Sequence, residues 1–108
     1  MDKDSAKTLE DWRDEIDEVD RRLVRLLARR TECAIEIGKL KARGRLQVYD
    51  PQREEDVMAN VQSAASGHLT GESARRVFER IVDETRRTER EHRKVLDRLA
   101  SESEGGGS

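Results

Sequence analysis

From Thr8 to Arg43 the chain contains no proline and a single glycine, Gly38. Within that stretch Leu9, Trp12, Ile16, Val19, Leu23, Leu26, Leu27, Cys33, Ala34, Ile37 and Leu40 recur at steps of three and four, the period of one face of an α-helix. The pattern predicts one helix of roughly 35 residues, about 50 Å long at ~1.5 Å per residue. A compact monomer of 108 residues cannot cover such a rod, so a dimer is expected. Composition points the same way: 43% charged and 33% hydrophobic residues suit long helices with narrow apolar stripes rather than a thick core.

The first helix is expected to stop near Gly44. After Arg45 to Tyr49 comes Asp50-Pro51, an N-cap carboxylate followed by proline at the first helical position, which starts a second helix at Pro51. Val57, Met58, Val61 and Ala64 or Ala65 form its apolar side, and Ser66-Gly67-His68 ends it. Thr70 with Ser73 marks a third start, and that helix is expected to run to about Ala100 on a stripe of Val77, Phe78, Ile81, Val82, Leu96 and Leu99. The reading is an all-α fold of three helices in one domain, residues 8–100. Residues 1–7 are expected to be disordered, and the Ser/Glu/Gly run 101–108 to be a flexible tail or linker.

Charge and cysteine content narrow the function classes. Twenty-two basic against 24 acidic residues leave a net charge of -2, so no global field favours nucleic acid or an anionic membrane. Cys33 is the only cysteine, and no apolar run is long enough for a signal peptide or a membrane span, which predicts a cytoplasmic protein. His68 reads as a loop residue and His92 as a partly buried one at the end of a stripe. Neither suggests a metal, and no cofactor is implied. Cys33 and Trp12 read as packing residues.

The chemistry lies where polar residues interrupt apolar stripes, because a charge there is costly unless paired or solvated. Arg30 takes an apolar place in the series Leu23, Leu26, Arg30, Cys33 or Ala34, Ile37, and Lys41 continues the line. The two share a face about 16 Å apart along the axis. Taken singly, each is an ordinary structural ion pair or snorkelling stem; together they outline an anion site. Arg13 lies about 100° from Arg30 around the same helix and reaches that cluster only across a dimer interface. On the third helix Thr85 and Glu89 are an i, i+4 pair on the inner stripe. Glu89 alone is an ordinary partner for Arg86, Arg90 or Arg93. Asp50, Arg53 and Glu54 open the second helix, where Asp50 as a cap and Glu54 at the dipole have structural readings too.

The run Arg13-Asp14-Glu15-Ile16-Asp17-Glu18-Val19-Asp20, then Leu26-Leu27-Ala28-Arg29-Arg30, Gly38-Lys39-Leu40-Lys41, Asp50-Pro51-Gln52-Arg53-Glu54 and the late Phe78 with Thr85 to Glu89, resembles the all-helical chorismate mutases over roughly Leu9 to Leu99. The resemblance implies an intertwined, domain-swapped homodimer with two equivalent sites. It implies that Arg30, Lys41, Arg53 and Thr85 come from one chain and Arg13 from the other. Arg13 and Arg30 would clamp the two carboxylates of chorismate with help from Thr85, Asp50 and Glu54 would hold the hydroxyl region, and Lys41 and Glu89 would address the ether oxygen. Part of the family has glutamine in the place of Glu89. A carboxylate cannot donate, so Glu89 would act while holding its proton.

The implied reaction is a one-molecule Claisen rearrangement to prephenate in aromatic amino acid biosynthesis. It breaks a C–O bond and makes a C–C bond, and it requires no nucleophile or general base. Two rival readings stand beside it: an isochorismate pyruvate lyase on the same fold, and a non-catalytic helical interaction or regulatory module. Inward Arg30, Lys41 and Glu89 speak against the second, since a pure helix-packing module gains from apolar residues there. A further partner from the shikimate pathway, and a second domain after the glycine-rich end, stay open.

Overall fold

A computed structural model describes residues 6–44 and 50–106; the expectations for residues 1–5, 45–49 and 107–108 fall outside them. Among the described residues the chain forms three helices and no strand: α1 (Leu9–Gly44), α2 (Pro51–Ala64) and α3 (Gly71–Gly106). Two compact units make up the chain, one ending at Cys33 and the other beginning at Ala34, inside α1. No described helix is long and apolar enough to cross a membrane.

In the first unit a reciprocal cap starts α1. The Asp11 N–H donates to the Thr8 hydroxyl oxygen at 3.1 Å, and the Thr8 N–H donates to the Asp11 carboxylate at 2.9 Å. The Thr8 N–H first, and the Thr8 hydroxyl second, hold the Asp11 carboxyl below its usual range. About two turns further, Arg21 and Arg22 flank Glu18 at 2.9 and 3.2 Å and lower its carboxyl likewise. Lys7, which the sequence placed outside the fold, pairs with Glu15 and lies 4.2 Å from the centre of the Trp12 ring.

Nothing on α1 is fully buried. Leu9, Trp12, Ile16, Val19, Leu23 and Leu26, the stripe expected to pack, are all exposed. Two packing expectations therefore need correction within this chain: Cys33 is exposed rather than a core residue, and Trp12 is 53% exposed under the Lys7 ammonium. Periodicity marks a face that wants cover without supplying what covers it.

The second unit holds the small core. Asp50 caps α2 by accepting the Arg53 N–H at 3.1 Å, with Pro51 in the first turn. Ala65 closes α2, Gly67 turns the chain at a φ of 60°, and the Thr70 hydroxyl accepts the Ser73 N–H at 3.1 Å to start α3. The φ of Gly67 is one that a side chain rarely adopts. Packing of α2 on α3 buries Met58, Ala74 and Thr85, with Val57, Val61, Phe78, Ile81 and Val82 partly covered around them. Glu55 and Arg75 add an ion pair at 3.8 Å between the two helices.

The third helix corrects one boundary. It continues to Gly106, past the end expected at Ala100 and through part of the segment expected to be a flexible tail. Ser101 to Glu104 contain no helix breaker, so the hydrogen-bond ladder propagates until the glycines.

Candidate active site

The first unit carries Arg13 and Arg30. Arg13 is exposed and makes a surface pair with Glu10 at 3.4 Å, worth at most about 1 kcal/mol and easily given up for a stronger anion. Arg30 is partly buried.

The second unit carries the rest. Lys41 is partly buried near the end of α1. At the start of α2, one Asp50 oxygen is committed to the cap, which bears out the structural half of its two readings and leaves the other oxygen for a ligand. Arg53 is exposed. Glu54, in the same turn, pairs through Oε1 with Nη2 of Arg86 on α3, and Nη1 of Arg86 lies 3.7 Å from Asp83.

On α3, Thr85 is buried to 8% exposure, and its hydroxyl donates to the Ile81 carbonyl at 2.9 Å. Its single proton must swing away from Ile81 before it reaches a carboxylate. Glu89 is partly buried, and its Oε2 lies 3.7 Å from where a methyl on Gly38 would stand. Gly38 thus brings α1 within van der Waals reach of the carboxylate. Lys41 follows three residues later, about 60° around the helix.

An open cavity of about 360 Å³ lies here, lined from α1 by apolar Ile35, Gly38 and Ala42 with the cations of Lys39 and Arg43, and from α3 by Glu89, His92, Arg93, Leu96 and Asp97. Its size is that of a small-molecule site. Lys41 is not part of its wall. Arg86, one of three arginines within reach of Glu89 along the same helix, pairs instead with Glu54 and Asp83. Helical spacing placed Arg86 near Glu89, but only the packing of α2 on α3 brings a second carboxylate to it.

Residues 12–90 match the model of the family described as chorismate mutase type II, a span that contains all eight candidate residues from Arg13 to Glu89. The chain belongs to the chorismate mutase type II family. It is 38% identical over 78 residues to a bifunctional chorismate mutase/prephenate dehydratase of Neisseria gonorrhoeae, covering 72% of this chain and 21% of that protein. To the T-protein of Enterobacter agglomerans it is 43% identical over 53 residues, 49% of this chain and 14% of the relative. To a bifunctional chorismate mutase/prephenate dehydratase of Escherichia coli K12 it is 32% identical over 74 residues, 68% of this chain and 19% of the relative. The chain spans about a fifth or less of the curated relatives it matches. The match takes in all of α2, α1 from Trp12 onward and α3 as far as Arg90, well before its end at Gly106.

Proposed function

We propose that the chain is a chorismate mutase, an isomerase that converts chorismate to prephenate as a dimer in the cytoplasm, for aromatic amino acid biosynthesis. The observation that carries this reading is the approach of Glu89 to α1 at Gly38, three residues before Lys41, inside the matched span. It supports a carboxyl of α3 held against α1, one turn before the Lys41 ammonium.

In this reading Arg13 and Arg30 grip the two substrate carboxylates, and Thr85 adds a hydroxyl. Bidentate guanidinium pairs select the compact diaxial conformer in which the reacting carbons face each other, which moves most of the entropic cost into binding. Asp50 and Glu54 accept the ring hydroxyl, and Arg53 adds positive charge beside them. As the C–O bond lengthens, negative charge grows on the ether oxygen. Lys41 donates to it, and so does Glu89 while it holds its proton. Donors held in place before the reaction stabilise that charge without reorganising, each worth roughly 3 kcal/mol. The C–O bond breaks as the C–C bond forms within one molecule, so electrons and protons balance without a co-reactant.

The dimer draws support from the first unit. Leu9, Trp12, Ile16, Val19, Leu23 and Leu26 present an apolar face along α1 that this chain leaves in water. A second copy laid on that face would cover it and carry Arg13 to the other chain's Arg30.

The test is loss of chorismate absorbance with acid conversion of prephenate to phenylpyruvate, run with Arg13→Ala, Arg30→Ala and an equimolar mixture refolded together. Each variant alone is expected to be nearly inactive. The mixture should recover roughly a quarter of wild-type activity, because random two-fold pairing rebuilds one site in four. A mixture that stays inactive refutes the swapped site. A wild type that ignores chorismate but releases pyruvate from isochorismate refutes the mutase reading in favour of the lyase.

A further inference from the structure

Glu54 and Arg86 join the first turn of α2 to the middle of α3. Their side chains are 37% and 43% exposed, so the pair adds little to stability. What it changes is geometry. A glutamate on an exposed helix start samples several rotamers, and a guanidinium nitrogen on one of its oxygens favours those that keep the pair. The guanidinium is itself steadied. Arg86 follows the buried Thr85 on the helix that packs against α2, and its Nη1 is near Asp83. With Oε1 of Glu54 engaged, Oε2 is the oxygen left to accept a hydrogen bond.

We infer that Arg86 is a positioning residue for Glu54: through their ion pair it sets which carboxylate oxygen meets the substrate hydroxyl, without touching substrate itself. The inference rests on the role of Glu54 proposed above. Sequence spacing ties Arg86 to α3 carboxylates alone, and the link to Glu54 exists only through helix packing.

The experiment is a double-mutant cycle on kcat, KM and melting temperature with Arg86→Ala, Arg86→Lys, Glu54→Ala and the Arg86→Ala/Glu54→Ala pair. Arg86→Ala is expected to lower kcat/KM about tenfold, mainly through KM, with a melting temperature close to wild type. Arg86→Lys, which keeps the charge, should recover part of the loss. In the Glu54→Ala background Arg86→Ala should have almost no further effect, since no carboxylate remains to be positioned. Losses that multiply, or an Arg86→Ala enzyme with wild-type KM beside an impaired Glu54→Ala, overturn the positioning role alone. An unimpaired Glu54→Ala, or a wild type without mutase activity, overturns the underlying reading and the inference with it.

Discussion

Replacing Leu23 by alanine should weaken the dimer by an amount that follows from its exposure. Leu23 is 52% exposed in the single chain, near the middle of the apolar face of α1. Full burial of a leucine is worth about 1.5–3 kcal/mol, so covering the exposed half contributes roughly 0.8–1.5 kcal/mol per chain. Two-fold symmetry counts the contact twice, giving about 1.5–3 kcal/mol per dimer. That corresponds to a dissociation constant raised roughly 10- to 150-fold. The methyl left by alanine trims this loss, and the cavity it leaves in the interface adds to it. Sedimentation equilibrium over a wide concentration range reads the constant, and specific activity at the same concentrations reads its consequence. Because Arg13 is supplied by the partner in the proposed site, activity should fall at the concentration where mass halves. An unchanged dissociation constant in Leu23→Ala, or a monomer with full specific activity, refutes the reasoning.

Three further outcomes are expected. Thr85→Val keeps the shape of a buried side chain whose hydroxyl donates to Ile81, so stability should move by no more than about 1 kcal/mol while kcat/KM drops roughly tenfold or more; equal activity in thermal-melt-matched samples removes Thr85 from the site. Glu89→Ala should lower kcat roughly a hundredfold, whereas Glu89→Gln, whose amide donates a hydrogen bond, should keep most of the activity; an unimpaired Glu89→Ala removes the donor role. The Asp11 carboxyl is lowered in the folded chain by the Thr8 N–H and hydroxyl, so its stabilising contribution is present above the unfolded value of about 4 and vanishes as pH falls through the lower folded value. Melts of wild type and Asp11→Asn should therefore differ at neutral pH and converge in acid, and a gap that persists at low pH contradicts the cap.

Much of the fold was legible because its causes are local. The start of α2 follows from Asp50 and Pro51, that of α3 from Thr70 and Ser73, and the break between them from Gly67, each a matter of residues within a turn of one another. The end of α3 was misplaced because serine and glutamate resemble linker residues in composition while remaining compatible with a helix. In the candidate site, the interruptions at Arg30, Lys41, Thr85 and Glu89 were visible as departures from a period. The connections between elements were not. Spacing left Arg86, Arg90 and Arg93 as equivalent partners for Glu89, whereas packing gives Arg86 to Glu54.

The sequence by itself determined three helices, their caps and the faces that seek cover, because hydrogen-bond ladders and side-chain periodicity act over a few residues. Only the tertiary structure decided that Thr85 is buried, that Glu89 stands over Gly38, and that Arg86 holds Glu54. Those contacts join residues far apart in the chain, and the packing of helices on one another chooses among partners that spacing along one helix leaves equivalent.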